Sequence, residues 1–93
     1  MKIYASTGPF AGDKDAAAYI RTTYVRRGVE RGEKVILDFA NVRLATQSFI
    51  HALIADVVRG DASCLDQIEF KNCNVEIQTV IEIVVAYAQE WVE

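Results

Sequence analysis

Two hydroxyl side chains, Thr46 and Ser48, stand where an amphipathic helix is predicted to begin. A helix start presents backbone N–H groups without intrahelical partners and the positive end of the helix dipole, and both favour a bound phosphate. The same pattern is also typical of a structural arrangement, in which Thr46 is the N-cap and Ser48 faces solvent in the first turn. Both interpretations stay open at the level of the sequence.

Few other side chains offer catalytic chemistry. His51 is the only histidine, and no carboxylate lies close to it in the sequence, although Asp38 in the preceding predicted strand could approach it in space. We expect His51 to be a surface or interface histidine, and Asp38 to accept hydrogen bonds from loop N–H groups or from Thr46. Because these residues do not form a set of nucleophile, base and orienting group, we predict no catalytic residues and no enzyme.

Metal ions, cofactors, nucleic acids and membranes are not predicted as ligands. A zinc site needs about four ligands, and only Cys64 and Cys73 accompany the single histidine. No apolar leader is present at the N-terminus, so we expect two free thiols and a cytoplasmic location. The longest apolar run is too short to cross a bilayer. With 10 basic and 13 acidic residues the net charge is −3, which disfavours nucleic acid.

These residues are carried by alternating predicted strands and helices. Strands are predicted at 2–5, 35–40 and 67–71, and the segment 35–40 is apolar on both faces, as in a central strand. Three helices are predicted, and their candidate N-capping residues are Asp13, Thr46 and either Asn72 or Asn74. The order β-α-β-α-β-α predicts one α/β domain over residues 1–93, with a small, mostly parallel sheet and helices packed on it.

The last predicted helix carries more apolar residues than one buried stripe requires. Beside the stripe that begins at Ile77, a second line runs at helical spacing through Val80, Ile83 and Tyr87 to Trp91. Aromatic anchors with aliphatic neighbours are typical of interface cores, so this line indicates a homodimer interface. A broad helix face buried in the core of a small protein explains the same pattern, and the sequence does not decide between them.

Two motifs in this order resemble a known family. The first is VILDFANV at 35–42, followed by TQSF at 46–49, and the second is IEFKNCNV at 68–75, followed by Ile81. Together they resemble the STAS superfamily, the fold of the anti-sigma-factor antagonists. They are more closely similar to the bacterial STAS-like domain of unknown function. The resemblance runs from about Phe10 to Tyr87 and implies a STAS-like layer fold.

The resemblance also implies a regulatory protein-interaction module rather than an enzyme. In the antagonists, a histidine-kinase-type ATPase partner phosphorylates a serine in an Asp-Ser-Ser-Gly motif at a helix start, and this switches partner binding. In this sequence Ser48 keeps the hydroxyl of the third position, whereas Thr46 and Phe49 replace the aspartate and the glycine. The residues implied for phosphorylation or partner docking are Thr46, Gln47, Ser48 and Phe49. The residues implied to support them are Asp38, Asn41 and His51.

Phosphorylation at this helix start would add about −1.5 to −2 charges to a docking surface and repel an acidic or apolar partner. The family resemblance makes a histidine-kinase-type ATPase the first expected partner. The alternative function is a ligand-sensing domain, in which the same helix N-terminus binds a small anion or a nucleotide.

Overall fold

A computed structural model of the chain describes the backbone of residues 1–60 and 62–90 and the side chains of 1–54 and 65–87. It confirms the predicted mixed α/β class, with helices packed on small parallel sheets. In chain order the elements are α1 (Tyr4–Thr7), β1 (Phe10–Ala11), α2 (Lys14–Ile20), a π-helical segment (Arg21–Val25), α3 (Arg26–Glu30), β2 (Val35–Asp38), β3 (Leu44–Ala45), α4 (Gln47–Gly60), a 3-10 segment (Ala62–Gln67), β4 (Ile68–Lys71) and α5 (Val75–Glu90).

Strand β2 is central, as predicted. It pairs in parallel with β4 along its whole length, and on its other side Lys2 forms a parallel bridge to Asp38. The expected opening strand at 2–5 is reduced to this bridge, which corrects the prediction. The reason is local, because the Ile3 carbonyl accepts hydrogen bonds from the N–H and the hydroxyl of Thr7 and so closes a helical turn.

A second parallel pair, β1 with β3, has no counterpart in the sequence prediction. Phe10 lies beside Leu44 and Ala11 beside Ala45, and the pairing continues as the Thr46 N–H donates to the Ala11 carbonyl at 3.0 Å. Parallel strands end at the same edge of a sheet. Since a helix follows each of these strands almost at once, the pair places the first turns of α2 and α4 side by side.

The core lies between the helices and one face of β2. The amphipathic character predicted for α4 is confirmed for its described side chains, and so is the buried stripe of α5 that begins at Ile77. The second face of β2 is less covered than expected, since Ile36 is only half-buried. The fully or almost fully buried residues of β2, α4 and α5 are Val35, Leu37, Phe49, Ile50, Leu53, Ile54, Ile77, Ile81 and Val84.

Two glycines set the path of the chain from the helical stretch formed by α2, the π-helical segment and α3 into β2. A Cβ on Gly28 would lie 2.5 Å from Cγ2 of Val35, so the glycine permits close approach of α3 to β2. Gly32, with φ of 70°, takes the left-handed conformation that ends the helix. Helix α3 ends at Glu30, between these two glycines.

Candidate functional site

Thr46 is the N-cap of α4. Its Oγ1 accepts a hydrogen bond from the Phe49 N–H at 3.0 Å, and its carbonyl accepts one from the Ile50 N–H at 3.1 Å. Its own N–H is held by Ala11 in β1. The hydroxyl of the half-buried Thr46 thus starts the helix, which is the structural one of the two roles that the sequence left open.

The next three residues differ sharply in exposure. Gln47 and Ser48 are exposed in the first turn of α4, whereas Phe49 is 0% exposed and belongs to the core. This corrects the expectation that Phe49 docks a partner, because a fully buried ring cannot reach one. Ser48 carries the accessible hydroxyl of the helix start.

A groove of about 470 Å³ opens beside this first turn, and we call it the α4–α5 groove. It brings together the helix start and part of the second apolar line on the last helix, two features that are far apart in the sequence. The described residues that line it are Lys14, Gln47, Ser48, His51, Ala52, Ile83, Val84 and Tyr87.

The second apolar line of α5 divides between the core and solvent. Val80 is half-buried and packs against the core, as the structural interpretation of this line expected. Ile83 and Tyr87 are 45% and 57% exposed and form the apolar wall of the groove. Trp91, the fourth residue expected in this line, lies outside the described residues.

Lys14 is the groove residue that the sequence analysis missed. It is the exposed first residue of α2, directly after Asp13, whose carboxylate caps the helix by accepting from the Asp15 N–H at 2.9 Å. Lys14 reaches the groove because the β1–β3 pair aligns the starts of α2 and α4. The only sequence signal was the capping residue before each helix, and it does not show that the two starts are neighbours.

Asp38 and Asn41 lie outside the groove that His51 lines. The Oδ1 of Asp38 accepts hydrogen bonds from Asn72 Nδ2 and from the Ala40 N–H, both at 2.9 Å. These bonds, that of Asn72 first, lower the pKa of the Asp38 carboxyl below its usual value of 3.8. Asp38 therefore stabilises the loops after β2 and β4, and Asn41 is an exposed turn residue with φ of 71°.

The segment after β4 contains the cap of α5 and a thiol. Asn74 is the cap, since its Oδ1 accepts from the Ile77 N–H at 2.8 Å, whereas Asn72 is committed to Asp38. Cys73 is a free thiol, as expected, and burial, followed by the negative charge of Asp38, raises its pKa to about 11. The side chain of Cys64 is not among those described.

Two more findings concern the described part of the chain alone. No group of three or more His, Cys, Asp or Glu side chains within it is arranged to hold a metal ion. None of its helices combines the length and the apolar character needed to span a membrane. In the α4–α5 groove, His51 is the one described lining residue of these four types.

The fold and the site define a mixed α/β protein with parallel strands and a groove beside a capped helix start. A family model described as STAS-like domain of unknown function (DUF4325) matches residues 22–78. The match covers more than half of the chain, and the chain belongs to this family. Comparison with the curated proteins and with the solved structures gave no significant match. The matched segment contains the start of α4 but neither Lys14 nor the apolar wall formed by Ile83 and Tyr87.

Proposed function

We propose that this chain is a non-catalytic regulatory module that docks on a protein partner through the start of α4 and the α4–α5 groove. Phosphorylation of Ser48 controls that docking. The family supports an interaction role. The observation that carries the proposal is the position of Ser48, exposed in the first turn of a long helix and lining a groove with exposed apolar side chains.

Ser48 is a better phosphate acceptor than Thr46. The Thr46 hydroxyl caps α4, so its phosphorylation would have to break the hydrogen bond to Phe49. A phosphate on Ser48 leaves that bond intact and lies in the first turn, where a negative charge is stabilised by about 0.3–1 kcal/mol through the helix dipole. Lys14 lines the same groove and offers a cation.

The proposed direction of the switch follows from charge. A phosphate adds about −1.5 to −2 charges at neutral pH. On a groove wall this charge is desolvated by any docked apolar side chain and repels an acidic one. The unmodified chain therefore binds the partner, and the phosphorylated chain releases it. The proposed kinase is a histidine-kinase-type ATPase, which is taken from the family resemblance.

The test measures recovery of a histidine-kinase-type ATPase, sought first among the neighbouring genes, on the wild type and on Ser48→Ala and Ser48→Asp. Ser6→Asp is the matched control, because Ser6 is also exposed in a helix but lies outside the groove lining. We expect Ser48→Asp to weaken binding by about tenfold or more, equivalent to about 1.4 kcal/mol. Ser48→Ala and Ser6→Asp should bind as the wild type does.

Mass spectrometry after incubation with the ATPase and nucleotide completes this test. We expect one phosphate on the wild type, located at Ser48, and none on Ser48→Ala. Equal partner recovery by Ser48→Asp and the wild type would contradict the switch. So would phosphate found on Thr46 while Ser48 stays unmodified.

The size of the groove supports one alternative function, the sensing of a small anion or nucleotide. Small-molecule sites are typically about 300–1,000 Å³, and the α4–α5 groove, at about 470 Å³, falls in that range. A sensor should show a melting temperature that rises with nucleotide or phosphate concentration. This rise should be lost in Lys14→Glu, and the absence of any rise would exclude the sensor.

A further inference from the structure

The chemistry of the α4–α5 groove specifies its occupant, and we infer that it binds an acidic amphipathic segment of the protein partner. The inference rests on the proposed function, because it names the partner chemistry for the same docking surface. Two properties of the lining carry it: the sign of its charge, and the separation of its apolar side from its polar side.

The groove lining is cationic on a chain whose net charge is −3. Lys14 is exposed there, and none of the lining residues that the structure describes is a carboxylate. Charge complementarity across an interface selects and orients partners. An occupant with carboxylates beside Lys14 is therefore favoured over a basic one.

The apolar side of the groove is a short stretch of α5. Ile83 and Tyr87 are four residues apart, so they lie on one face of the helix, and both are about half exposed. The polar side is formed by Lys14, Gln47 and Ser48. A segment that meets both sides needs apolar side chains on one face and acidic ones on the other. An amphipathic helix laid in a groove has this pattern, with anchors three or four residues apart.

The experiment selects peptides of about 15 residues, enough for about four helical turns, from a random display library on the full chain. Enriched peptides should carry an acidic excess and apolar residues at helical spacing. They should bind Lys14→Glu and Ile83→Ser about tenfold or more weakly than the wild type. The matched control is Lys34→Glu, which makes the same charge change at an exposed lysine outside the groove lining and should bind as the wild type does.

Several results would overturn the inference. These are no enrichment, enrichment without an acidic excess, and equal binding to the wild type and to Lys14→Glu. If Lys34→Glu weakened peptide binding as much as Lys14→Glu does, only the net charge of the chain would matter, and not its position in the groove. A concentration-dependent dimer in light scattering that Ile83→Ser abolishes would assign the groove to a second copy of the chain.

The experiments distinguish a wrong assignment of the groove occupant from a wrong phosphorylation switch. If acidic peptides bind the groove and Ser48→Asp leaves their affinity unchanged, the occupant is supported and the switch fails. If Ser48→Asp releases the ATPase while Lys14→Glu retains it, the switch is supported and the acidic occupant fails.

Discussion

Replacing Thr46 by alanine should destabilise the folded chain, whereas replacing Ser48, two residues further on, should not. The Thr46→Ala change removes the Oγ1 that accepts from the Phe49 N–H at 3.0 Å. Loss of an N-cap costs about 0.5–2 kcal/mol. Thr46 is half-buried and the Phe49 side chain is fully buried, so water replaces the lost acceptor poorly. We therefore expect the upper part of the range, about 1–2 kcal/mol.

The assay is urea unfolding followed by far-UV circular dichroism, with thermal melts of the same variants. In a domain of this size 1 kcal/mol corresponds to a shift of about 4–8 °C in melting temperature. Thr46→Ser keeps the capping oxygen and should retain most of the stability. Ser48→Ala should stay within about 0.5 kcal/mol of the wild type. The urea midpoint should fall in Thr46→Ala without a change in the m value.

A Thr46→Ala variant as stable as the wild type would refute the capping role. A loss in Ser48→Ala as large as that in Thr46→Ala would refute the division of roles, because the serine would then also hold the helix start. The second result would also make any binding defect of Ser48 variants a consequence of unfolding.

Three further predictions concern packing, pH and thiol chemistry. Gly28→Ala should cost about 1–3 kcal/mol by overpacking, since its Cβ would lie 2.5 Å from Val35 Cγ2; the cost should shrink in a Val35→Ala background, measured as a double-mutant cycle. Hydrogen bonds lower the pKa of Asp38 in the folded chain below 3.8, its value in the unfolded chain. The carboxylate therefore stabilises the fold above pH 3.8, and this contribution is lost as the pH falls through the folded pKa. The difference in unfolding free energy between wild type and Asp38→Asn should therefore shrink below pH 3.8, and a constant difference would contradict this. Cys73, with its pKa raised to about 11, should react with a thiol reagent at about pH 8 more slowly, by about tenfold or more, than in the urea-unfolded chain, measured with the other cysteine replaced by serine. Equal rates would show that the folded chain does not suppress its thiolate.

Long, strongly periodic elements were predictable from the sequence. Helix α4 extends over 14 residues, and the pairs Phe49/Ile50 and Leu53/Ile54 repeat on its buried face. Because this apolar repeat recurs over several turns of one helix, a single exceptional residue does not obscure it. The strands β2 and β4 were also predictable, although each has four residues, because β2 is apolar on both faces and β4 alternates polar and apolar residues.

Short elements set by distant contacts were not predictable. Strands β1 and β3 have two residues each, which is too few for an alternating pattern, and their partners are 34 positions apart in the register Phe10 to Leu44. The opening segment has β-prone residues at Ile3 and Tyr4, but the hydrogen bonds of the Ile3 carbonyl close a helical turn instead. In both cases tertiary or local hydrogen bonding outweighs weak residue preference.

In the candidate site, too, features marked by a local sequence pattern were predictable and features set by distant contacts were not. The position of Ser48 in the first turn of α4 was predictable, because a capping residue and a hydrophobic stripe mark this helix locally. Lys14 was not, because its place in the groove depends on the β1–β3 pair. The exposure of Ile83 and Tyr87 beside the buried Val84 depends on how α5 packs, which periodicity describes only as a second apolar line.

The position of Ser48 favours control of docking by local charge rather than by a change of fold. The start of α4 is held by the Thr46 cap and by the hydrogen bond from Thr46 to Ala11, and neither involves the Ser48 side chain. A phosphate on Ser48 therefore leaves the bonds that hold the helix start unbroken. The phosphate would reverse the positive charge of the groove beside Lys14, on which binding of the proposed acidic occupant depends. Free and phosphorylated chains should then share one backbone conformation and differ in partner affinity alone.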